Sequence, residues 1–255
     1  MRILIGVNLL LGASLTAAVA GATMQAAAPE PVPAEVTPAR ILAGSELFNG
    51  RTCVFCHAVA GRGAGPNGPD LSDSAWLHGS GDVEGIHRII MWGVEADEMR
   101  AEPRYRFEMN PEGGQNLSQE DLAALSAYVW ALSRPTTSAF VADQIRFVDL
   151  VRAGQVGEAA ALFRARHSAT PNAPLVPAGG LARFARTLQP ANALALMRFA
   201  TELHPDSAPI SNALGAALQA SGDNAGAATA YRRTLTLDPS NEEARRRLDA
   251  LPTQS

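Results

Sequence analysis

The sequence has no lysine: all 21 of its basic residues are arginine. Read beside the abundant alanine, this is a compositional bias to which no function attaches. Cysteine is almost as scarce, and Cys53 and Cys56 are the only two in 255 residues. That count excludes a disulfide framework, which needs more pairs, and a zinc site, which would need two further ligands at metal spacing. Beyond the first twenty residues, no apolar stretch is long enough to cross a bilayer. No basic cluster is dense enough to suggest nucleic acid as a partner. Arg245-Arg246-Arg247 is preceded by Glu242 and Glu243 and reads as a solvated helical face. Length and composition are those of an ordinary globular protein with room for two modest domains.

The two cysteines that do occur stand in Cys53-Val54-Phe55-Cys56-His57. A C-x-x-C-H run sets two thiols where they can add to the vinyl groups of a haem while the adjacent histidine reaches the iron. The competing reading is a thioredoxin-like redox pair, which calls for a βαβ pattern that the flanking sequence does not have. The expectation is therefore one covalently attached haem c, bound through Cys53 and Cys56, with His57 as a metal ligand.

Residues 1–20 carry a single charge, Arg2, then an apolar stretch and Ala18-Val19-Ala20, which reads as a secretory signal peptide cleaved before Gly21. An uncleaved anchor is the alternative. Residues 21–38 are rich in proline and alanine and read as a linker that neither helix nor strand could traverse. A first domain is expected over 39–135. Ile41, Leu42, Gly44, Leu47 and Phe48 fall near one helical face leading into the cysteine motif. Asp82 to Trp92 predicts a second helix, and Ser118-Gln119-Glu120-Asp121 is a capping-box start for a third that Pro135 ends. Gly61 to Pro69 is a glycine and proline loop, suited to close backbone approach over a flat group.

These residues resemble a class I c-type cytochrome domain. Gly44 and Phe48 look like the small and aromatic positions through which the first helix packs on the last, here on Leu125 and Tyr128. Pro69 looks like the proline whose carbonyl accepts the ring N–H of the haem histidine. Trp76-Leu77-His78-Gly79, with Ile86, Ile89, Ile90, Gly93 and Val94, is similar to the C-terminal haem domain of the dihaem subunit of cbb-type oxidases. The resemblance implies a distal methionine, for which Met109 has the family's spacing before a short loop and a capped helix. Met99 is the alternative and Met91 reads as core. Met109-Asn110-Pro111 departs from the usual Met-Pro-Ala. His78 and His87 read as surface or satisfied histidines. With a saturated iron the resemblance implies an electron carrier, not an enzyme.

The second half, 139–251, carries an internal repeat. Pro171, Pro205 and Pro239 recur every 34 residues, as do Ala159, Ala193 and Ala227, and Phe163, Met197 and Tyr231. This is the tetratricopeptide period, and the stretch resembles such repeats most closely at its end. A C-terminal capping helix is expected to start from a box of Ser240 and Glu243. The expected fold is all-α, a haem domain followed by a helical-repeat solenoid. Residues 40–134 hold 8 arginines and 13 acidic residues, a net charge of −5, whereas 140–255 hold 12 and 10. The function expected is a periplasmic electron carrier whose repeats bind a protein or peptide, with an oxidase, a dehydrogenase or another cytochrome as redox partner. A repeat scaffold or cytochrome-assembly factor is the alternative, and an open-site haem enzyme a third.

Overall fold

The computed structural model describes residues 31–95, 98, 105 and 107–252. The stretch read as a signal peptide, most of the linker and Met99 lie outside the described residues. Every regular element among those described is a helix, and two isolated bridges are the sole strand-like pairings. The fold class is all-α, a haem-type domain followed by a helical repeat region.

Helix α1 spans Pro38–Gly50 and is capped by the Thr37 hydroxyl, which accepts from the Arg40 N–H at 3.3 Å. It takes in the last residue of the presumed linker because the fixed φ of proline suits a first helical position, where no N–H is needed. Val36, just before it, is buried. The motif forms the short helix α2, Cys53–His57. Helix α3, Val83–Trp92, starts on Asp82, whose carboxylate accepts from the Gly85 N–H at 2.7 Å. Helix α4, Gln119–Leu132, carries the full capping box between Ser118 and Asp121.

Helices α1 and α4 cross at Gly44, where a Cβ would stand 2.1 Å from the Ala124 carbonyl oxygen. Only glycine allows that approach. One turn on, Phe48 meets Tyr128 edge to face, with ring centroids 5.4 Å apart. This crossing frames the rear of the site.

A single turn, Pro135–Thr137, leads into the second half. Its helices are α5 (Ala139–Arg152), α6 (Val156–Ala169), α7 (Ala178–Ala185), α8 (Pro190–Leu203), α9 (Ala208–Ala220), α10 (Asn224–Leu237) and α11 (Glu242–Asp249). Helices α6, α8 and α10 begin at 156, 190 and 224, one period of 34 apart, and bury Ala159, Ala193 and Ala227 at equivalent points. Helix α7 is short. The chain ahead of it runs irregularly through Leu175 and Val176, both fully buried.

The start of α11 corrects the expected capping box. Asn241 is the cap, accepting from the Ala244 N–H at 2.9 Å. Ser240 is not available, because its hydroxyl and N–H both donate to Asp238 Oδ1. Glu243 instead accepts from Arg186, Asn212 and Arg247.

One hydrophobic core runs through both halves, from Val36 through Leu125 and Trp130 to Phe147, Phe163 and Ala217. A smaller cluster around Tyr231 and Ala244 closes the C-terminal end. The unit from Val32 onward is therefore one packed body, whose second half rests directly on the first.

Candidate functional site

The site is built on the turn that follows α2. Ala58 and Ala60 adopt φ of 57° and 53°, a region that costs an alanine about 1–3 kcal/mol. The turn is held from three sides. The Ala60 N–H donates to Asn49 Oδ1 at 2.9 Å, the Gly63 N–H to the His57 carbonyl at 2.9 Å, and the Leu71 N–H to the Gly61 carbonyl at 2.7 Å. Gly68 then passes so near α2 that a Cβ would lie 2.4 Å from the Cys56 carbonyl oxygen. That approach brings Pro69 beside His57.

His57 is 9 % exposed, and its Nδ1 lies 3.2 Å from the Pro69 carbonyl oxygen. A carbonyl can only accept, so Nδ1 carries the proton and Nε2 keeps its lone pair. Burial lowers the pKa of the ring, against the opposing pull of the Pro69 bond, and favours the neutral imidazole a metal requires. Cys53 and Cys56 are not joined to each other. In the chain without haem, burial pushes the Cys53 thiol up to about 11 and raises that of Cys56 as well, so both would be protonated at neutral pH.

Met109 lines the same cleft. Its backbone pairs with Val94 in both directions, at 2.8 and 3.2 Å, just after α3 ends. Gly93, at φ 75°, makes room for this pairing, since a Cβ there would stand 2.0 Å from the Met109 carbonyl oxygen. The following turn folds back on the motif, where the Thr52 hydroxyl donates to the Gly113 carbonyl at 2.9 Å and Gln115 reaches Cys53 Sγ at 3.9 Å. The structure thus brings Cys53, Cys56, His57, Pro69 and Met109 to one cleft, whose other walls include Phe48, Ile86, Ile90, Leu125 and Val129.

Two histidines differ from their sequence reading or qualify it. His78 is not a satisfied surface residue: it lines the cleft, and its Nε2 is buried with no hydrogen-bond partner. Its neighbour Gly79 stands at φ 73°, and the Gly-rich run was the available signal. His87 does find a partner, with Nδ1 3.4 Å from the Ser126 hydroxyl. Met91 packs, half-buried, against the core. Missed altogether in the sequence were Asn49, Tyr128 and Gln144 as a buried polar network behind the site, since partners 79 and 16 residues apart leave no local pattern.

The donor set suits a covalently held haem. It comprises two thiols, a neutral imidazole whose Nε2 keeps its lone pair, a thioether lining the same cleft, and apolar walls for the macrocycle. Carboxylate-rich metal sites are a different chemistry, and no group of three metal-ligating His, Cys, Asp or Glu side chains occurs among the described residues.

Residues 41–133 match the family model described as Cytochrome c. Over 88 residues the chain is 34 % identical to the cbb3-type cytochrome c oxidase subunit CcoP of Rubrivivax gelatinosus, an overlap covering 34 % of this chain and 25 % of that protein. The chain thus spans about a quarter of the length of that curated relative. No solved structure matches the chain. The matched region supports a haem-binding electron carrier and coincides with the helices that build the cleft.

Proposed function

We propose that this protein is an exported monohaem c-type cytochrome that passes single electrons, with tetratricopeptide repeats that dock it to a protein partner. The observation that carries the reading is the commitment of His57 Nδ1 to the Pro69 carbonyl, which leaves Nε2 for iron in a cleft also lined by Cys53, Cys56 and Met109.

Bound there, the haem supplies a one-electron iron centre. Cys53 and Cys56 would hold it through thioether bonds, with His57 as the proximal ligand and Met109 as the distal one. Pro69 orients the imidazole and, by accepting its N–H, makes it a stronger donor. The apolar walls would limit water at the centre, and Met109 as a thioether ligand would favour the reduced state. Were His57 and Met109 both to bind the iron, no position would be left on it for a substrate, which supports a carrier over an enzyme. The net charge of −5 on residues 40–134 suits a redox partner with a basic surface, reached at a rate that falls as salt rises. The named relative is an oxidase subunit, so a terminal oxidase is the partner class we favour.

Three features support the repeat assignment: the 34-residue period of α6, α8 and α10, the small residues buried at their equivalent points, and the Gly215 to Tyr231 contact. Export to the periplasm rests on residues 1–20 and on the location of haem attachment outside the bacterial cytoplasm.

Optical spectra of the purified protein test the iron chemistry. Haem should stay with the polypeptide after denaturation, and the oxidised protein should show a methionine-to-iron charge-transfer band. Met109→Ala should abolish the band and Met99→Ala should leave it. The reverse pattern would transfer the ligand to Met99, and haem extractable by acid solvent would end the covalent reading.

A further inference from the structure

The loop that carries Pro69 is gripped by a helix of the repeat half. The Arg62 guanidinium donates to Asp149 Oδ1 on α5 through Nε at 3.1 Å and Nη2 at 2.9 Å. Its remaining nitrogen, Nη1, donates to Asp70 Oδ2 at 3.0 Å and to the Ser72 hydroxyl at 2.6 Å. Asp70 follows Pro69 directly, and its other oxygen accepts from the Ser72 N–H at 2.8 Å, which stiffens the strand of loop behind the proline. One turn beyond Asp149, Arg152 donates to the carbonyls of Arg62 at 3.0 Å and Gly63 at 3.2 Å. The Gly63 N–H in turn holds the His57 carbonyl.

Two residues of α5 therefore clamp both the backbone leaving His57 and the side chain that anchors the segment returning to it. The Arg62 side chain is 26 % exposed and its two carboxylate partners 34 % and 47 %. A planar guanidinium bridging two carboxylates in a partly shielded site fixes geometry in a way that a lone surface ion pair does not.

We propose that Asp149 and Arg62 are positioning residues for His57, through which helix α5 of the repeat half holds the Pro69 carbonyl against the ring N–H and so helps set the reduction potential of the haem. The inference rests on the reading of His57 as the haem ligand. Its physical basis is that a hydrogen bond to the outer ring nitrogen makes the ligand more basic and favours oxidised iron. Loosening Pro69 should then raise the potential, whichever member of the clamp is removed.

That sign separates positioning from plain electrostatics. Arg62→Gln removes a positive charge and Asp149→Asn a negative one, so through-space charge alone predicts shifts in opposite directions, downward for Arg62→Gln. Positioning predicts an upward shift in both. It also predicts severalfold faster deuterium exchange at the His57 ring N–H of the reduced protein, followed by nuclear magnetic resonance. Arg152→Gln, which frees the Arg62 and Gly63 carbonyls, provides a second route to the same two readouts if Arg62→Gln does not fold. Asp149→Glu should recover most of the wild-type potential. Shifts of opposite sign, or unchanged potentials and exchange in all three weakening variants, would overturn the proposal. Wild-type protein without covalent haem would instead remove the reading of His57 on which it stands.

Discussion

The hydroxyl of Tyr128 donates to Oε1 of Gln144 at 3.0 Å, and neither side chain has any solvent exposure. Tyr128 belongs to α4 of the haem-type domain and Gln144 to α5 of the repeat half. The amide of Gln144 also donates to the Ser45 hydroxyl at 2.6 Å and to the Leu175 carbonyl at 2.5 Å, while Asn49 Nδ2 donates to Tyr128 at 3.1 Å. A buried polar network is stabilising only when each member is paired, and this one is completed by residues from both halves.

Gln144→Leu is therefore expected to destabilise the whole molecule. It leaves the Leu175 carbonyl without its donor and the Tyr128 hydroxyl without its acceptor, at about 1–3 kcal/mol for each orphaned group. Urea unfolding followed by haem absorbance and by far-ultraviolet circular dichroism should shift to lower midpoint together in both signals. A midpoint loss confined to one signal would contradict the shared core.

Two glycines should behave differently on substitution by alanine. Gly44→Ala drives a Cβ into the backbone of Ala124 at the α1–α4 crossing, where nothing can move aside, and should cost about 3 kcal/mol or more. Gly215→Ala meets the buried ring of Tyr231 at 2.5 Å, in the smaller C-terminal cluster. Its cost, about 1–3 kcal/mol, should fall on α9 to α11. Amide hydrogen exchange should show lost protection throughout the haem domain for the first variant and only beyond about residue 208 for the second.

Cys53 gives a pH dependence specific to protein not yet carrying haem. Burial raises its thiol from the ordinary 9.0 to about 11, so the fold favours the protonated form. The unfolded chain loses that proton first, and the contribution to stability is complete below about pH 9 and lost as pH climbs through about 11. Thermal melts of the haem-free protein should fall across that interval, and Cys53→Ser should flatten the decline. Alkylation of Cys53 at neutral pH should be slow for the same reason, because the thiolate is the nucleophile.

Much of the helical framework was legible because its signals are local. Capping at Ser118 and the apolar stripe of α3 lie within a few helical turns, and the 34-residue spacing recurs at a fixed interval that the sequence itself displays. The Asn241 cap was misread because Ser240 prefers the Asp238 carboxylate, a choice between neighbours that composition does not decide. His78 was read as satisfied because a glycine-flanked histidine looks solvated, and only the structure shows its Nε2 buried without a hydrogen-bond partner.

By itself the sequence determined the chemistry: two thiols and an imidazole at a spacing that one haem can use, with helices of known period on either side. It also identified Pro69 and Met109 through a family pattern, and the fold then brought both to the cleft of His57. Only the tertiary structure decided that the repeats are not a separate appendage. Gln144 completes a core polar network and Asp149 grips the loop behind the histidine. Such contacts join residues 16 to 99 positions apart, and their energy depends on shared burial and matched donors, which no stretch of sequence holds alone.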